Sequence, residues 1–78
     1  MRTYIIKINT ISLVKEFVKI STKVDGKILL KSGDFVIDAK SIMGIFSLDL
    51  TKDLRCEITA DEEEIVKFEE DLKNLSLI

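Results

Sequence analysis

Apolar and polar residues change their spacing several times along the chain, and each change marks an element. Residues 3 to 8, TYIIKI, are rich in β-branched and aromatic types over a length that suits a strand. From Ile11 the spacing becomes three and four. Ile11, Val14, Phe17 and Val18 then share one face, which predicts a helix from about Leu13 to Lys23, with Lys15, Lys19 and Lys23 following at i, i+4 on another face. Asp25-Gly26 ends that helix. KILLKS and FVID, joined through Ser32-Gly33-Asp34, read as a hairpin of two short strands, with Ile28 and Leu30 on one face and Phe35 and Ile37 across from them. A short helical segment lies near Ser41. LRCEITA alternates as a half-buried strand, with Leu54, Cys56, Ile58 and Ala60 facing one way and Arg55, Glu57 and Thr59 the other. Asp61 opens the last helix, where Glu64 three residues on makes a variant capping box and the acidic run meets the positive end of the helix dipole. Ile65, Phe68, Leu72 and Leu75 supply its buried stripe.

The order is strand, helix, strand, strand, short helix, strand, helix. Half-buried strands with amphipathic helices to cover one side predict an α+β fold, an antiparallel sheet with helices on one face. Residues 1–78 are read as one domain. With 46% hydrophobic and 33% charged residues and no low-complexity tract, the chain is globular in character. Twelve basic against 14 acidic residues give a net charge of −2 and no basic footprint, so nucleic acid is not expected as a partner. No apolar run approaches the roughly 20 residues that span a bilayer, and Tyr4 to Ile8 is too short for a signal-peptide core. Membrane insertion is therefore not expected, and a cytoplasmic location is. The lone Cys56 has no internal disulfide partner and alternates with apolar neighbours as a small core residue. With no histidine and one cysteine, the inventory excludes a zinc site and a Cys/His nucleophile pair, and no metal or cofactor is expected.

One heptapeptide is more specific than any of these patterns. Asp38-Ala39-Lys40-Ser41-Ile42-Met43-Gly44, DAKSIMG, together with the element order, resembles the HPr family, the histidine-containing phosphocarrier proteins of the bacterial sugar phosphotransferase system. In that family the stretch reads approximately N-A-K-S-I-M-G. Phe17-Val18 matches a family Phe-Val on the first helix, and Glu57-Ile58-Thr59-Ala60 resembles the last strand. The resemblance spans nearly the whole chain. It implies an open-faced β-sandwich in the order βαββαβα, with a four-stranded antiparallel sheet and helices packed on one face. It also implies that Ser41 occupies the place of a serine that a regulatory kinase modifies in many Gram-positive bacteria.

The resemblance stops at the phosphocarrier motif. The family reads G-[IL]-H-A-R-P-A at the start of its first helix, and counting back from Phe17 puts the histidine at Thr10. Ile11, Ser12, Leu13 and Val14 then stand where Ala, Arg, Pro and Ala would be, Ser12 in place of the arginine. An imidazole nitrogen is nucleophilic near neutral pH and gives a labile phosphoramidate, whereas a hydroxyl needs a base and gives a stable ester. Ser12 likewise offers a neutral hydroxyl where a guanidinium fork would neutralise the transferred group. Read from residue type alone, Thr10 and Ser12 are turn or N-cap residues.

Ser41 supports two readings: an N-cap of the short helix, and a cap that also accepts a regulatory phosphate stabilised by the same N–H groups. Ile42, Met43 and Phe46 resemble the family's docking surface, and partial burial under the sheet edge fits them as well. The lysine stripe is a solvated face or a dock for an acidic partner, and the acidic run at 61–64 lacks the spaced ligand pattern of a calcium loop. The function expected is that of an HPr-like regulatory or protein-binding module of the phosphoenolpyruvate-dependent sugar phosphotransferase system. It would not be an active histidine phosphocarrier and not an enzyme. Its partners would be proteins, such as a serine kinase or phosphotransferase components. The alternative is a domain that has kept the HPr-like fold for an unrelated protein-interaction role.

Overall fold

Seven elements follow the order set by the periodicity: β1 (Arg2–Ile6), α1 (Ile11–Thr22), β2 (Lys27–Ser32), β3 (Phe35–Asp38), α2 (Ile42–Phe46), β4 (Leu54–Thr59) and α3 (Glu62–Asn74). The computed structural model describes residues Met1–Ile78. The strands form one antiparallel sheet in the order β1-β4-β2-β3, so β4 lies between β1 and β2. Its alternation sorts the two faces. Cys56 stands opposite Tyr4 and Leu30, and Ile58 opposite Arg2 and Ile28, on the buried side. Arg55 and Glu57 line the other side, where Lys31 Nζ approaches Glu57 at 3.1 Å and no helix lies.

The helices bury their stripes against the first of these faces. Val14, Phe17 and Ile20 of α1, Ile45 of α2, and Ile65, Phe68 and Leu72 of α3 join Ile6, Ile28, Leu30, Leu54, Cys56 and Ile58 in one core. Phe17 and Phe68 are fully buried and meet edge to face at 6.2 Å, and each such side chain contributes about 1.5–3 kcal/mol by leaving water. Arg2 reaches Glu62 at 3.0 Å and the Tyr4 hydroxyl donates to Glu69 at 2.8 Å, fastening β1 to α3. No helix is long and apolar enough to cross a membrane.

Several local expectations need correction. β1 ends at Ile6 rather than Ile8, although Ile8 is buried. α1 begins at Ile11, two residues earlier than its apolar spacing suggested, because Thr10 caps it there. Ile11 itself is 65% exposed: a side chain in the first turn points back along the helix, past the end of the packed layer. The stripe continues instead through Ile20 and Val24. Phe35 faces the core side with Ile37 as expected, but it pairs with Ser32 at the end of the hairpin and stays 65% exposed.

At α3 the capping box does not form. Asp61 makes no side-chain cap bond, and Glu64 instead accepts the Asp25 N–H at 2.7 Å, satisfying the turn between α1 and β2. Gly26 in that turn packs so closely that a Cβ would stand 2.2 Å from the Thr59 carbonyl oxygen. The far end of α3 closes with Ser76 in the left-handed region at φ 58°. There the N–H groups of Leu77 and Ser76 donate to the carbonyls of Leu72 and Lys73, and Leu77 is buried while Leu75 is only half-buried.

Candidate functional site

The first candidate lies at the start of α1. Thr10 has an extended backbone, and its Oγ1 accepts the Leu13 N–H at 3.1 Å while its carbonyl accepts the Val14 N–H at 3.1 Å. That is an ordinary N-cap, one of the readings residue type allowed. Ser12 is exposed on the first turn. A depression beside Thr10 is lined by Lys7, Asn9, Ile11, Leu50 and Thr51. Asp49 is exposed and bonded within its own loop: it accepts from the Thr51 hydroxyl at 2.6 Å and the Thr51 N–H at 3.1 Å, and those bonds hold its carboxyl below the usual range. The depression therefore offers hydroxyls, an amide and one ammonium. No lining group is a base that would activate the Thr10 hydroxyl.

The second candidate is α2. Ser41 is exposed and extended, and its Oγ accepts the Gly44 N–H at 3.1 Å, closing the first turn. Gly44 is where the helix meets β3: a Cβ on it would lie 3.2 Å from Ser41 Oγ and 3.4 Å from Ile37 Cβ. Glycine thus lets the cap and the helix–sheet contact form on one residue. Ser47 Oγ donates to the Gly44 carbonyl at 2.6 Å at the other end.

The three residues of the expected docking patch do not behave alike. Ile42 is half-buried against the core, whereas Met43 is 76% and Phe46 44% exposed. α1 packs beside α2 and carries the exposed Ile11, an apolar residue the spacing pattern had assigned to the core. Its exposure had no signal in the periodicity, only in its place in the first turn. Lys15, Lys19 and Lys23 are all exposed; Lys19 lies 3.5 Å from Glu16 and Lys23 3.9 Å from Asp71, and Lys15 has no acidic partner.

Two further titratable groups, Cys56 and Tyr4, serve the fold. The Cys56 thiol is buried, which pushes its pKa up to about 12 and keeps it unreactive near neutral pH. Burial, and then the bond to Glu69, raise the Tyr4 hydroxyl to about 12 as well. The chain brings together no group of metal-ligating side chains.

The family model described as the PTS HPr component phosphorylation site matches residues 13–76. That match takes in α2 and Ser41 and begins after Thr10 and Ser12. Among solved structures, the chain is similar to HPr-C-His from Thermoanaerobacter tengcongensis, with 29% identity over 92% of this chain and 90% of that one and a TM-score of 0.75. It is also similar to the HPr dimer from Thermoanaerobacter tengcongensis, at 27% identity over 100% and 99% of the two chains and a TM-score of 0.66. The phosphocarrier protein HPr from Bacillus anthracis shares the fold, at 19% identity over 95% and 90% and a TM-score of 0.66. No curated protein matches the chain.

Proposed function

The chain belongs to the PTS-HPr family, and from that premise we propose that it serves the phosphoenolpyruvate-dependent sugar phosphotransferase system as a regulatory, protein-binding member and not as a histidine phosphocarrier. One observation carries the reading: a family whose chemistry is a phosphoryl group on histidine is here represented by a chain with no histidine at all. Thr10, set by the resemblance at the histidine's position, uses its oxygen as a cap acceptor and has no base beside it. A phosphate ester formed there would be stable, and so would not pass on to an acceptor.

Ser41 offers different chemistry. It is exposed, and its ester would carry nearly two negative charges next to the free N–H groups of α2, with Met43 and Phe46 on the adjacent surface. A serine kinase and phosphotransferase components are the protein partners this chemistry suits, in the cytosol. The exposed Ile11, Met43 and Phe46 also favour the second reading, an HPr-like domain that binds an unrelated protein whatever happens at Ser41.

Intact-mass measurement separates these. Incubation with phosphoenolpyruvate and the general phosphotransferase enzyme is expected to add nothing, and gain of an acid-labile phosphoryl group would overturn the proposal. Treatment with the kinase that acts on other family members is expected to add one acid-stable phosphate that maps to Ser41. No modification, together with equal partner binding by wild type and Ser41→Ala, would favour the second reading.

A further inference from the structure

Lys40 precedes the cap of α2 and reaches away from it. Its side chain crosses to the turn between α1 and β2, where Nζ donates to the Val24 carbonyl at 2.5 Å and the Gly26 carbonyl at 3.1 Å. An ammonium on two carbonyls is a charge-assisted contact, stronger than a neutral pair. The turn that receives it is fixed on two further sides. Gly26 lies against the end of β4, with no room even for a Cβ, and the Asp25 N–H between the two acceptors is held by Glu64 from the start of α3. The near end is fixed as well: the Lys40 N–H donates to Asp38 Oδ1 at 2.8 Å. α2 is only five residues long, too short to keep its shape unaided, so its orientation depends on what its first turn is tied to.

We infer that Lys40 is a positioning residue. Its ammonium ties α2, and with it the exposed Met43 and Phe46, to a rigid turn that α1, α3 and β4 hold in common. The inference rests on the reading of α2 as a docking surface, but its test needs no partner. Lys40→Met removes the tie and leaves every residue of the patch in place. Amide exchange by NMR, with water-exchange spectroscopy for the fast amides, then compares Ile45 and Leu48, which close α2, and Asp25 with Cys56 in β4.

In Lys40→Met the first three amides are expected to exchange at least tenfold faster relative to Cys56 than they do in wild type. Lys40→Arg, a cation of similar reach, is expected to restore most of the difference. Acceleration of all four amides by one factor would overturn the inference, since the lysine would then support only global stability. Unchanged exchange would overturn it too. Should Lys40→Met not fold, the neutral Lys40→Gln is measured in the same way, and failure of both to fold would also assign the lysine to the whole fold. Absence of any binding partner, by contrast, would count against the docking reading and not against this one.

Discussion

Ser41→Ala removes one acceptor and nothing else of size. The lost bond is the 3.1 Å contact from the Gly44 N–H, and because Ser41 is exposed the freed N–H turns to water rather than staying buried and unpaired. The cost therefore belongs in the lower half of the range for N-caps, about 0.5–1 kcal/mol. In a domain of this length that lowers Tm by roughly 2–8 °C. Ser41→Asp keeps an acceptor in place and adds a negative charge at the positive end of the helix, which in a well-formed helix contributes about 0.3–1 kcal/mol. It should recover at least the stability that alanine loses. Thermal and urea melts of the three proteins, followed by far-UV circular dichroism at pH 7, decide the matter. An alanine variant as stable as wild type, or an aspartate variant as unstable as alanine, would refute the capping account. A refuted cap would also remove the reason to expect that a phosphate is tolerated at this position.

The two loop glycines should respond unequally to alanine. Gly26→Ala drives a Cβ into backbone at 2.2 Å and is expected to cost about 3 kcal/mol or more, whereas Gly33→Ala meets open space and costs only the left-handed φ of 57°, about 1–2 kcal/mol; urea melts that reverse this order would contradict the packing. Folding raises the Tyr4 hydroxyl from 10.0 and the Cys56 thiol from 9.0, each to about 12, so both neutral forms are favoured in the folded state. Their stabilisation is fully present below about pH 9 and is lost as pH rises toward 12; Tyr4→Phe should flatten the alkaline decline seen in urea melts, and Cys56 should resist thiol reagents at pH 8 until the chain unfolds. Ser76→Gly relieves a left-handed residue at the end of α3 and should stabilise the protein by roughly 1 kcal/mol, read as a higher urea midpoint. Thr10→His alone should accept no phosphoryl group from the phosphotransferase enzyme, since Ser12 and Leu13 supply neither the guanidinium nor the proline; efficient labelling in an intact-mass assay would show that those neighbours matter little.

Periodicity made most of the fold legible because most of the core obeys it. The alternation of Leu54, Cys56 and Ile58 and the helical stripe of Ile65, Phe68 and Leu72 are buried as their spacing required. What escaped was set by contacts between residues far apart in the chain. Glu64 stands where a capping box would use it, and a partner 39 residues away takes its carboxylate instead. Lys40 reads as one more charge in a motif until the turn at Val24 and Gly26 is brought beside it. Ile11 carries the right spacing for burial and lies beyond the end of the layer that would bury it.

The candidate site divides along a similar line. At residues 10 to 13 the fold asks only for a cap and helix-forming neighbours, and Thr10 meets that demand with its bond to Leu13. On the proposed reading an imidazole there would serve phosphoryl transfer and nothing in the packing, so its absence leaves the architecture whole. At residues 38 to 44 the structural demands fall on the same residues as the regulatory role proposed for Ser41. Ser41 caps, Gly44 clears the approach to Ile37, Lys40 ties the segment to the rest of the molecule, and Asp38 receives the Lys40 N–H. Each of these four residues thus has a folding task whether or not a kinase acts on Ser41. The folding role of Ser41 and its proposed regulatory role separate only where its chemistry is changed with its geometry kept. Aspartate preserves the acceptor but cannot be esterified by a kinase, so a regulatory role predicts a protein that folds normally and can no longer be switched.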